Sequence, residues 1–165
     1  MKIALCALAV IGCALTGRAL AGGASRRAKV LQEWMDALMQ LRIGMLERHL
    51  PVGAALAQSC YAPFRQMGER LGSAGVFAAW TDVSGPLTRH GGNMDCMTGE
   101  DLGALNRLFS SMGAGGKSEQ EVLFQSALKE LGRLEDAARH GGAERLRLYT
   151  TLGALCGLAV VVGFL

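Results

Sequence analysis

The chain has 165 residues, of which 50% are hydrophobic, 19% charged and 5% aromatic, and its formal net charge is +3. That length suits one domain, and so mild a charge with so few aromatic rings excludes the basic, aromatic-interleaved surface of a nucleic-acid binder. Five cysteines with no C-x-x-C pair exclude a zinc ribbon and a disulfide scaffold.

Charge is partitioned along the chain. Every acidic residue lies between Glu33 and Glu144, whereas Ile3–Gly17 and Leu148–Leu165 carry no charge at all. A bilayer-spanning helix needs roughly 17–25 apolar residues, so residues 148–165 read as a transmembrane helix. Gly153 and Gly157 give it a small-residue face suited to close helix packing. Residues 1–22 read as a second transmembrane helix, from which Arg18 can reach the headgroups. A signal peptide cleaved after Ala19-Leu20-Ala21 is the alternative for this stretch. Arg26, Arg27 and Lys29 follow closely and resist export. Arg139, Arg145 and Arg147 precede the last apolar run in the same way. The positive-inside rule then places residues 26–147 in the cytoplasm, with both termini outside. Cys60 and Cys96 would be reduced thiols there.

The middle of the chain predicts helices throughout and no strand. In Ala28–Leu50, Val30, Trp34, Leu38, Leu41 and Met45 recur at helical spacing, widened by Leu31 and Met35. Pro51 is expected to end this helix and to open a short one reaching about Tyr61. Pro63 opens another, with Phe64, Met67 and Leu71 on one side. Val76–Val83 reads as helix, broken by Gly85-Pro86, and His90–Asp95 as a loop. Thr98-Gly99-Glu100-Asp101 has the capping-box pattern. The helix behind it carries Leu102, Leu105, Leu108, Phe109 and Met112 and stops at Gly113–Gly116. Ser118–Glu121 reads as a second capping box, and Leu123, Ala127, Leu131, Leu134 and Ala138 form the stripe that follows. Gly141-Gly142 is expected to break this helix, leaving Arg139 and His140 near its end. Two long helices with matching stripes can pack antiparallel.

Chemistry is sparse. His49, His90 and His140 lie far apart in sequence, and Asp95-Cys96 beside His90 lacks an orienting group. Glu100-Asp101 suits a helix first turn and Glu135-Asp136 a solvated face. Lys117-Ser118 after the glycines lacks the first glycine of a phosphate loop and a preceding strand. The expectation is therefore a protein that is not an enzyme, with no catalytic, cofactor-binding or metal residues and no small-molecule substrate.

Three stretches resemble a known family. His49-Leu50-Pro51-Val52-Gly53-Ala54-Ala55-Leu56 follows an anchor, a basic segment and a long helix. Leu105-Asn106-Arg107-Leu108-Phe109-Ser110-Ser111-Met112-Gly113 closes a leucine-rich helix and is followed by Gln120. Leu148-Tyr149-Thr150-Thr151-Leu152-Gly153, then Gly157-Leu158, matches a terminal anchor. In this order they resemble stage III sporulation protein AB of endospore-forming bacteria, a family related to the F domain of type II secretion platform proteins. Gly115-Gly116 stands where that family has an acidic residue, and Thr150 where it has Arg. The resemblance implies an all-α cytoplasmic helical bundle, an F-like domain over 26–147, held between transmembrane helices in the mother-cell membrane facing the forespore. It implies a non-enzymatic platform in the channel between the two cells. A hexameric secretion-type ATPase and the other membrane subunits of the channel would be its partners. Leu50–Phe64 is the stretch expected to meet the ATPase. An exported helical binding module, tethered by its C-terminal helix, is the competing reading.

Overall fold

A computed structural model describes the backbone of residues 2–72 and 75–164. It describes the side chains of residues 23–72 and 75–141, apart from Ala24, together with Thr151. The described residues are all-α. In order they form α1 (Lys2–Leu46), α2 (Val52–Ala57), α3 (Ala62–Arg70), α4 (Val76–Thr88), α5 (Gly99–Ser111) and α6 (Lys117–Phe164). The chain divides into two compact units, one of Met1–Ala28 with Asp136–Leu165, the other of Lys29–Glu135.

The terminal unit consists of the outer parts of α1 and α6. The charge-free runs are helical over residues 3–17 and 148–164, but apart from Thr151 their side chains lie outside the described residues, and with them the transmembrane assignments to 1–22 and 148–165. Among the described residues no helix is long and apolar enough to cross a membrane. The expected break at Gly141-Gly142 does not occur, and α1 likewise passes through Gly22-Gly23. A glycine inside a helix costs only about 1 kcal/mol relative to alanine. The good helix formers that follow, Arg26 to Ala28 in α1 and Ala143 to Leu146 in α6, offset that. Arg139 and His140 consequently lie in a helix interior, away from any C-terminal dipole.

The central unit is built on the two predicted stripes. Leu31, Trp34, Leu38 and Leu41 on α1 and Ala127, Leu131 and Leu134 on α6 are buried together with Phe124, which the predicted stripe did not include, whereas the predicted Leu123 is half-buried. The two helices run antiparallel here. Met35 Cε lies 3.7 Å from the position a Cβ would take on Gly132. Seven residues further along α1, Arg42 pairs with Glu121 at 3.1 Å, earlier in α6. The shorter helices complete the core through aromatic rings. Trp34 is met edge-on by Tyr61, Phe64, Trp80 and Phe109, with ring centroids 5.1, 5.3, 5.6 and 6.3 Å away. Trp80 stacks on Phe109 at 4.7 Å. Edge-on and offset-stacked pairs are the arrangements the ring quadrupole favours. The indole N–H of Trp80 donates to Asn106 Oδ1 at 2.5 Å.

Local endings differ from the sequence expectations in three places. α1 stops at Leu46, before Pro51 can act. Its last turn widens: the Arg48 N–H reaches the Ile43 carbonyl, and the Leu50 N–H the Gly44 carbonyl, around His49 at φ 54°. Histidine is among the side chains that tolerate this left-handed region. α2 ends at Ala57, so Cys60 lies in the connection to α3 rather than on a helical face. α4 continues through Gly85 and Pro86 to Thr88. A proline this close to a helix end removes only one helical hydrogen bond. α2 and α3 approach closely because Gly68 has no side chain. A Cβ there would stand 2.7 Å from the Ala57 nitrogen.

Candidate interaction surface

The segment Leu50–Phe64 contains no charged residue, and Arg48 and Arg65 flank it. Local chemistry explains its shape. Pro51 is extended, with φ −61° and ψ 148°, and precedes the single-turn-and-a-half of α2. Ser59 Oγ accepts from the Tyr61 N–H at 3.2 Å, which bends the chain before Pro63 enters the first turn of α3. Ala55, Leu56, Pro63 and Phe64 are buried, whereas Pro51, Ala57, Gln58, Cys60 and Ala62 are exposed. The segment is therefore a surface strip of small, uncharged side chains anchored from beneath.

Two clefts run between this strip and α1, and they adjoin because both are lined by Gln40 and Cys60. One, of about 290 Å³, lies toward Arg48, with Ile43, Gly44 and Gln58 in its walls. The other, of about 270 Å³, lies toward Glu33 and Asp36, with Tyr61 in its wall. Burial, and then the negative charge of Glu33, push the Tyr61 phenol well above its ordinary pKa, so it stays neutral. Among the described residues neither Glu33 nor Asp36 takes part in an ion pair, and both are exposed. The groove as a whole is acidic at one end, neutral in the middle and basic at Arg48.

The other groups singled out by sequence have structural surroundings. Asp95 Oδ2 accepts from the Gly91 N–H at 3.1 Å, which folds the His90–Asp95 loop; His90 is exposed, and Cys96 packs against the core. Asp101 and Thr98 form the expected capping box, in which Asp101 Oδ2 accepts from the Thr98 N–H at 2.8 Å. The second box expected at Ser118–Glu121 does not form: α6 already begins at Lys117, and Glu121 pairs with Arg42. Gly116 precedes the helix, and Glu119 reaches back to its N–H at 3.2 Å. Glu100 pairs with Arg133 at 2.6 Å, and Arg107 with Glu130 at the same distance, which joins α5 to α6. Glu135 is half-buried and Asp136 exposed. Among the described residues no group of three or more His, Cys, Asp or Glu side chains converges as metal ligands would.

Gln120 has a part its spacing alone did not reveal. Its side chain is buried, and Nε2 donates to the carbonyls of Ala114 and Ser111, while Oε1 accepts from the Gly113 N–H at 3.4 Å. One amide thus closes the end of α5 and shapes the glycine loop, in which Gly113 and Gly115 have φ near +85°. A lone polar residue in an otherwise apolar stripe was the available signal.

An all-α bundle closed by two antiparallel long helices, with no strand among the described residues, is the class this chain falls in. Within that class, the chain belongs to the stage III sporulation protein AB family, whose model matches residues 2–165. No curated protein and no solved structure matched the chain in the same comparisons. Family membership assigns it a role in stage III of sporulation.

Proposed function

We propose that this protein is a non-enzymatic membrane platform of the channel joining mother cell and forespore, and that it docks a hexameric secretion-type ATPase. The charge-free runs Ile3–Gly17 and Leu148–Leu165 are its membrane anchors, and residues 26–147 face the cytoplasm. The observation that carries the reading is the uncharged strip Leu50–Phe64. It begins just past the end of α1, whose course through the central unit from Lys29 to Leu46 spans roughly 26 Å. A strip without charge, with charged residues at its rim, shares with interface cores their depletion of charged side chains.

The test is co-purification of tagged full-length protein, in mild detergent, from sporulating cells. Recovery of the secretion-type ATPase, lost when charge is inserted at Ala57 or Gln58, is the expected result. Unchanged recovery from those variants would remove the strip from the docking surface. Recovery of exported proteins alone, with the chain cut after Ala21, would replace the platform with a tethered exported module.

A further inference from the structure

The groove beside the strip defines what its occupant must look like, and this inference rests on the ATPase-docking reading. From Glu33 on α1 to Arg48, two residues past its end, the span is about 22 Å. The carboxylates of Glu33 and Asp36 are exposed at one end without ion pairs, and Arg48 is exposed at the other. Between them Gln40 and Cys60 form an uncharged floor common to both clefts. Among the described residues there is no strand, so no sheet edge is available for an incoming strand to extend. An occupant that leaves no backbone group unpaired against this surface is a helix, which satisfies its own N–H and C=O groups. We infer that the ATPase seats one amphipathic helix along α1 in the Glu33–Arg48 groove. That helix is basic over Glu33 and Asp36, small or apolar over Cys60, and acidic over Arg48.

Charge at the rim governs association and its salt dependence, while packing at the centre governs dissociation. The two regions therefore respond differently to substitution. The experiment measures binding of the purified secretion-type ATPase to full-length protein in detergent micelles. The variants are Glu33→Lys with Asp36→Lys, Arg48→Glu, Cys60→Trp, and Lys129→Glu as a control. Lys129 is exposed on α6 and lies outside both clefts. Circular dichroism and thermal melting check that each variant keeps its fold.

The expected result is a tenfold or greater loss of affinity for the acidic-end double variant, shrinking as salt is raised from 50 to 500 mM (the screening length falls from ~14 to ~4 Å). Arg48→Glu weakens binding in the same salt-dependent way. Cys60→Trp weakens it equally at both salt concentrations, and Lys129→Glu leaves it unchanged. Wild-type affinity in folded Cys60→Trp, or an equal loss in Lys129→Glu, would overturn the groove while leaving the platform intact. No binding by the wild-type chain would overturn the platform itself, and the groove with it.

Discussion

Arg70 on α3 donates from Nη1 to the backbone carbonyl of Asp82 on α4, at 3.2 Å. Asp82 is the residue whose carbonyl would accept from position 86, and Pro86 has no N–H to give. A guanidinium from the neighbouring helix thus replaces the missing helical hydrogen bond and ties α3 to α4. Arg70→Ala is expected to cost about 1 kcal/mol. In a Pro86→Ala background the cost falls toward zero, because an alanine there supplies the N–H itself. A double-mutant cycle on thermal or denaturant unfolding of the full chain in detergent measures the coupling. An unchanged cost in both backgrounds would separate the two residues.

The aromatic cluster sets the scale of core stability. Trp34 is fully buried and touches four other rings. Trp34→Ala is expected to destabilise by about 3–5 kcal/mol, a large part of the 5–15 kcal/mol typical of a whole domain. Trp80→Phe keeps a ring against Phe109 but loses the bond to the exposed Asn106, at about 1 kcal/mol. Melting temperatures of the two variants check the order.

Gln120→Ala frees the Ser111 and Ala114 carbonyls and the Gly113 N–H at once. A loss of about 1–3 kcal/mol is expected, with faster amide exchange and proteolysis confined to residues 111–117. Glu119→Gln, which keeps a hydrogen-bonding oxygen near the exposed Gly116 N–H, changes exchange there far less. Equal exchange in both variants would show that Gln120 does not hold the loop.

Tyr61 makes the alkaline limb of stability specific. Its folded pKa lies above the ordinary phenol value near 10, because of burial first and Glu33 second. Above pH 10 the unfolded chain loses this proton while the folded chain keeps it. The unfolded state then binds fewer protons, and stability falls as pH rises. Below pH 10 the phenol is neutral in both states and contributes no slope. Tyr61→Phe should flatten part of the decline above pH 10, and Glu33→Gln should flatten less of it. Denaturant midpoints between pH 8 and 11 decide.

The sequence alone determined the helices, their buried stripes and the Thr98–Asp101 cap, because each depends on residues within one or two turns of each other. Leu31, Trp34 and Leu38 face the core at the spacing their order dictates. Glycine and proline misled at Gly141-Gly142 and Gly85-Pro86, since whether a helix survives a breaker depends on what lies beside it. For Pro86 that neighbour is Arg70, sixteen residues earlier. Tertiary structure alone decided the groove. Its acidic end lies on α1 and its uncharged floor includes Cys60, in a connection more than twenty residues later. Periodicity along the chain carries no information on which distant segment a helix face will meet. Packing around Trp34 brings these two together, and that packing forms the two adjoining clefts between the acidic residues and Arg48.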